Sequence, residues 1–99
     1  NGLVTLNLAG NKISGTVPQS FRHLIHLQSM NLARNKFSSF LPPELAAMTS
    51  LREVNLAVNQ FTGVIPATWP LLSLLDASDN PWEVSLDQWL RVLYRERNA

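Results

Sequence analysis

The chain repeats one short pattern of leucines and asparagines about every 24 residues. Asn11, Asn35 and Asn59 are 24 positions apart (35 − 11 and 59 − 35), and Asn80 follows after 21 (80 − 59). The same offsets align three apolar columns: Leu3, Leu27, Leu51 and Leu72; Leu6, Met30, Val54 and Leu75; and Leu8, Leu32, Leu56 and Ala77. A unit this short cannot bury its own apolar residues, so each copy is stable only when it is stacked on the next. The spacing therefore predicts a stack of similar turns.

Each copy reads Leu-x-x-Leu-x-Leu-x-x-Asn and resembles a leucine-rich repeat. The resemblance implies one right-handed α/β solenoid with a concave parallel β-sheet and a C-terminal capping helix. We expect the 99 residues to form a single domain that is a fragment of a longer protein. The predicted units are repeats over residues 3–26, 27–50, 51–71 and 72–82, followed by a cap over residues 83–99.

The four column asparagines are predicted to be internal structural residues. Where a strand bends into a loop, main-chain N–H and C=O groups turn inward, and each costs roughly 1–3 kcal/mol if it is buried without a partner. An asparagine amide offers two donors and an acceptor to such groups. We therefore expect Asn11, Asn35, Asn59 and Asn80 to form a hydrogen-bonded ladder rather than to bind a partner.

The loops after the asparagines carry a second motif. Residues 11–18 and 59–66 both read Asn-x-[Ile/Phe]-[Ser/Thr]-Gly-x-[Val/Ile]-Pro. This is similar to the N-x-[LF]-[ST]-G-x-[IVL]-P signature of plant-type leucine-rich repeats. Such repeats occur in receptor-like kinase and receptor-like protein ectodomains, in inhibitors of cell-wall polygalacturonases and in protist surface proteins. The middle copy departs from the signature at Ser39, where glycine would adopt a positive φ without cost, so we expect a turn there that is either more strained or differently shaped.

The resemblance implies a non-catalytic scaffold that recognises a protein or peptide ligand, or a co-receptor. It also implies an extracellular or cell-surface location, in a membrane-associated parent that transduces a signal.

Three segments return the chain from one strand to the next. Residues 43–48 carry the strongest helix signal, with proline at the start, whereas Pro70 makes the third crossing an irregular turn. Val17, Leu41 and Ile65 each precede a proline, which favours extended backbone and predicts a second short strand on the flank of each turn.

Residues 85–97 are predicted to form an amphipathic helix that covers the last turn. A capping-box spacing at its start and an apolar stripe along its length support this prediction. The segment that begins at Asn80 resembles the N-P-W-x-C-x-C cap of many leucine-rich repeat proteins, with Val84 and Leu86 in place of the cysteines.

Composition narrows the function classes. The formal net charge of +1 is too small to create the field that non-specific phosphate binding needs, so we expect no nucleic-acid partner. The chain has no cysteine, no Asn-x-Ser/Thr glycan acceptor and no apolar run near the ~20 residues that a membrane span requires. A cytosolic adaptor or structural repeat protein is therefore the alternative to a surface receptor.

No catalytic or cofactor motif is visible, and we expect neither enzyme activity nor a cofactor. His23 and His26 could share a metal but lack a third ligand in the sequence pattern. Asp76 and Asp79 are interpreted as a strand end and a loop start rather than a calcium site.

The open face of the predicted sheet is the expected contact surface, because alternate side chains of a strand point away from the core. Asn7, Asn31, Asn55 and Asp76 align as a row, which either stabilises strand pairing through side-chain hydrogen bonds or binds a ligand. Arg34 is the strongest single candidate, since arginine is enriched at binding hot spots. The residues predicted to bind a partner are Thr5, Asn7, Ser29, Asn31, Arg34, Glu53, Asn55, Val58 and Asp76.

Overall fold

The computed structural model describes residues 2–65, 69 and 72–83. Within them lie β1 (Thr5–Asn7), β2 (Ser14–Gly15), β3 (Ser29–Asn31), β4 (Lys36–Phe40), β5 (Glu53–Asn55), β6 (Gln60–Thr62) and β7 (Leu74–Asp76). One parallel sheet has the order β1-β3-β5-β7, and a second has the order β2-β4-β6. Each turn of chain contributes one strand to the larger sheet, which confirms the predicted solenoid.

The register of the larger sheet follows the repeat. Leu6 pairs with Met30, Met30 with Val54, and Val54 with Leu75. Because side chains alternate between the two faces of a strand, a slip of one residue would move every leucine of that strand into solvent. The columns read from the sequence are therefore the columns that pack.

The apolar columns and the crossing segments form one hydrophobic core. Leu27, Leu32 and Leu56 are fully buried, whereas Leu6 and Leu8 of the first turn are only half-buried. An inner turn is covered on both sides and the first turn on one side, so burial rises from the first turn to the second and third.

The second sheet differs from its prediction in position. β4 and β6 begin directly after Asn35 and Asn59, and β2 begins three residues after Asn11, so the strands do not include the residues before the prolines. Val17, Leu41 and Ile65 are instead 2%, 5% and 4% exposed and belong to the core. The burial of these three apolar side chains stabilises the stack.

The crossing segments are tighter than the sequence suggested. Gln19–His23 and Pro43–Ala47 both form 3-10 helices. Their first hydrogen bonds span three residues, from Phe21 N–H to Pro18 C=O (3.1 Å) and from Leu45 N–H to Pro42 C=O (3.0 Å). The third crossing and the helix expected over residues 85–97 lie outside the described residues, apart from Trp69 in that crossing.

An aromatic column runs through the core behind the second sheet. Phe37 and Phe61 stack with ring centroids 6.0 Å apart, and Phe61 and Trp82 with centroids 5.8 Å apart, both at an interplanar angle of 7°. Trp82 also donates from Nε1 to the carbonyl of Ala77 at 2.7 Å. The predicted fourth repeat ends at Trp82, and its distance of 21 residues from Phe61 (82 − 61) matches the shortened repeat.

Candidate partner-binding surface

The exposed side of the four-stranded sheet carries two rows of side chains, which we call the sheet face. The first row is Thr5, Ser29, Glu53 and Leu74, and the second is Asn7, Asn31, Asn55 and Asp76. These side chains are exposed or half-buried, while the residues between them along each strand pack into the core. The structure thus brings the strand residues predicted to bind a partner onto one surface.

Each side chain of the second row accepts a hydrogen bond from its own turn. The Oδ1 atoms of Asn7, Asn31 and Asn55 each accept the main-chain N–H two residues later at 3.0 Å. Asp76 does the same for Ser78 at 3.1 Å and also accepts the Ser78 hydroxyl at 2.7 Å. Among the described residues no hydrogen bond links one member of the row to the next, so the row is built from local turns rather than from a cross-strand network.

The oxygen and nitrogen ends of each asparagine amide therefore differ in their contacts. The oxygen fixes the bend that follows the strand, and the Nδ2 group has no hydrogen bond within the described part of the chain. Adjacent parallel strands lie ~4.8 Å apart, so the three amides present N–H donors at that interval. Such a line of oriented donors can bind carbonyl or carboxylate oxygens.

Arg34 and Val58 lie at the end of the sheet face in an unusual backbone conformation. Their φ angles are 58° and 59°, and the same column has Gly10 at 73° and Asp79 at 58°. A non-glycine residue in the left-handed region costs roughly 1–2 kcal/mol, and a β-branched one is rare there. Hydrogen bonds from Arg34 N–H to Ala57 C=O (2.8 Å) and from Val58 N–H to Ser78 C=O (3.1 Å) hold the two residues in place. The sequence interpretation missed this strain, although Gly10 at the equivalent position signalled it.

The column asparagines lie behind the face. Asn35 and Asn59 are each 8% exposed. The Nδ2 group of Asn59 donates to the carbonyls of Leu32 (2.9 Å) and Leu56 (3.1 Å), and its Oδ1 accepts the N–H of Phe37 (3.1 Å). Every such amide therefore bridges its own turn to the one before it.

The two outer asparagines differ from this pattern. Asn11 is exposed and reaches only its own turn, at the carbonyl of Leu8 (2.8 Å). Asn80 is half-buried and bridges to Leu56 C=O (2.9 Å) and Phe61 N–H (3.0 Å). Asn11 was expected to be internal, but in the first turn of the stack it has no earlier turn of the described chain to cover it.

Neither a metal-binding cluster nor a membrane-spanning helix is found among the described residues. No group of three or more histidine or acidic side chains there is placed to hold a metal ion. His23 and His26 are both exposed, His23 at the end of the first 3-10 helix and His26 just beyond it. Within the same residues, no helix has the length and apolarity to cross a membrane.

The profile of the family described as "Leucine rich repeat" matches residues 1–61. The chain belongs to the leucine-rich repeat family. No curated protein matches this leucine-rich repeat chain significantly.

Solved structures with a similar fold are plant receptor ectodomains. The Arabidopsis receptor kinase HAESA, in complex with the peptide hormone IDA and the co-receptor SERK1, is 33% identical with a TM-score of 0.73. The ectodomain of GASSHO1/SCHENGEN3, in complex with CASPARIAN STRIP INTEGRITY FACTOR 2, is 31% identical with a TM-score of 0.76. The Arabidopsis BIR3–SERK2 complex gives 28% identity and a TM-score of 0.76.

The leucine-rich repeat chain spans only a part of these ectodomains. The matches cover 81%, 81% and 83% of this chain but 14%, 10% and 46% of the HAESA, GASSHO1/SCHENGEN3 and BIR3–SERK2 chains.

Proposed function

We propose that this leucine-rich repeat segment is a non-catalytic recognition scaffold that binds a protein or peptide through its sheet face, on the extracellular side of a receptor-like protein. The observation that carries the proposal is the pair of registered rows, polar except for Leu74, exposed in front of a continuous apolar core. The solved relatives support it, because HAESA is bound to a peptide hormone and BIR3 is in a complex with a second protein, SERK2.

Backbone strain supports the choice of Arg34 as the central contact. A residue held in a sparsely populated conformation at an exposed site marks a candidate functional position, since the fold must offset the cost elsewhere. Arginine also combines five N–H donors with a charge that is always present, which suits it to the centre of an interface.

A peptide selection with paired charge reversals tests the proposal. Linear peptides are selected from a random displayed library against the full chain, and their affinities are then measured for the Arg34→Glu and Arg22→Glu variants. Arg22 is the matched control, because it is an exposed arginine on the first 3-10 helix, away from the sheet face. Arg34→Glu should weaken binding by roughly tenfold and Arg22→Glu by less than about twofold. An equal loss for both variants, or a loss for neither, would place the binding surface elsewhere.

The cytosolic alternative rests on sequence alone, since the chain has neither cysteine nor an Asn-x-Ser/Thr acceptor. The complete reading frame of the parent gene separates the two hypotheses. A signal peptide upstream and an apolar span downstream favour the receptor, and a frame that lacks both favours the adaptor.

A further inference from the structure

The exposed charges on the sheet face and on the loops that follow its strands change sign along the stack. Lys12 belongs to the first turn, and Arg34 and Lys36 belong to the second; all three are exposed. Glu53 of the third turn and Asp76 and Asp79 of the fourth are also exposed. Apart from Arg52 of the third turn, whose Nη1 donates to the carbonyls of Thr49 and Leu51, these exposed charges are positive in the first two turns and negative in the last two.

From this polarity, and resting on the function proposed above, we infer that the ligand is an extended peptide segment with an acidic end over the first two turns and a basic end over the last two. Complementary potentials select partners and fix their orientation, and like charges placed together are unfavourable. The acidic half of the face repels nucleic acid, because a phosphate chain carries one sign of charge along its whole length.

The middle of the sheet face fits a peptide main chain. The Nδ2 groups of Asn31 and Asn55 are unused donors within the described residues. The cation of the third turn, Arg52, donates from Nη1 to the carbonyls of Thr49 and Leu51 in the adjoining chain. Peptide carbonyls are the acceptors that such neutral donors bind without the cost of burying a charge. The structure therefore assigns an uncharged, extended segment to the centre of the ligand.

The spacing of the turns sets the length of that segment. From Lys12 to Asp79 the face crosses three strand intervals of ~4.8 Å each, or roughly 14 Å. An extended peptide rises by about 3.3 Å per residue, so about four residues separate the acidic and basic groups.

A substitution of Asp76 tests the charge order most directly. Its Oδ1 accepts the N–H and hydroxyl of Ser78, so this carboxylate is already oriented and its second oxygen remains for a ligand. The other three turns carry asparagine in the same place and form the same N–H bond. The substitution Asp76→Asn therefore removes the charge while keeping the turn.

Capped eight-residue peptides provide the probe: two glutamates, four threonine or valine residues and two lysines. Two matched peptides carry glutamine in place of either the glutamates or the lysines. Asp76→Asn should weaken the bipolar peptide by roughly three- to tenfold and leave the lysine-free peptide within about twofold. Arg34→Gln should show the opposite preference, weakening the bipolar peptide but leaving the glutamate-free peptide unchanged.

Orientation is checked separately by a spin label on either end of the bipolar peptide. A label at the acidic end should broaden amide signals of the first two turns, and a label at the basic end those of the fourth. The reverse pattern, or equal effects of Asp76→Asn on all peptides, overturns the inference. If library peptides bind the sheet face but the bipolar peptide binds no better than its matched forms, the charge order is wrong and the proposed function stands. If no peptide is sensitive to changes on the face, both fail.

Discussion

Replacing Asn59 with leucine should remove a large part of the stability of the stack while preserving the branched shape of the side chain. The substitution leaves the buried N–H of Phe37 without its acceptor, at a cost of about 1–3 kcal/mol. The carbonyls of Leu32 and Leu56 each lose one donor but keep a second, from the neighbouring column asparagine. Those two losses contribute about 0.5–1 kcal/mol each, so the total is about 2–5 kcal/mol.

Asn11→Leu is the matched control for that change. It is the same substitution in the same column, at a residue that is exposed and whose amide donates only within its own turn. The carbonyl of Leu8 keeps the donor of Asn35 at 2.9 Å, so no buried group loses its last partner. We expect a cost of at most about 1 kcal/mol, because solvent replaces what is lost.

Urea unfolding followed by circular dichroism measures both variants. With an m-value near 1–1.5 kcal/mol/M for a chain of this size, Asn59→Leu should lower the midpoint by about 2 M and Asn11→Leu by less than about 1 M. Equal shifts would mean that burial does not set the strength of these bonds. A shift below about 0.5 M for Asn59→Leu would refute the claim that the N–H of Phe37 depends on it.

Three further stability predictions follow from the backbone and the tryptophans. Val58→Asn should stabilise the fold by up to about 1 kcal/mol because asparagine tolerates positive φ, whereas Val64→Asn, at a similarly exposed valine without that backbone, should not; urea midpoints compare them. Ser39→Gly should stabilise by about 0.5–1 kcal/mol, since its φ is 68°, and a lower thermal midpoint would contradict this. Trp82→Phe and Trp69→Phe both trim an indole to a phenyl ring and lose packing, but only Trp82→Phe also loses a main-chain hydrogen bond of the described residues, which should add about 1 kcal/mol to its cost; thermal unfolding compares the pair.

The larger sheet could be predicted from spacing alone because its register is a property of the repeat. Leu6, Met30, Val54 and Leu75 had to share one face if any of them was to be buried, and no other register satisfies all four turns. The second sheet was harder to place. Its strands pair with an offset of 22 residues, as between Ser14 and Lys36 (36 − 14), so the period of 24 does not locate them.

The strained residues show where local sequence reasoning stops. Nothing in the side chain of Arg34 or Val58 favours positive φ, and Val58 opposes it. Their conformation is set by main-chain hydrogen bonds to the following turn, which continue the parallel pairing past the end of each strand. Contacts between turns are tertiary, so they override the preference of a single residue.

The sequence could not decide between a structural and a binding role for the asparagine row, because the two roles concern different atoms of the same side chain. One half of each amide is structural and the other half is available, as the Oδ1 contacts of Asn7, Asn31 and Asn55 show. Any substitution of Asn31 that removes its oxygen therefore alters both the turn and the surface, and a loss of binding in such a variant says little about contact. Asp76→Asn and Arg34→Gln escape this ambiguity, since each changes charge while the turn geometry can persist. On a surface built from repeats, the most informative substitution gives one turn the residue that another turn already carries at the equivalent position, as Asp76→Asn does.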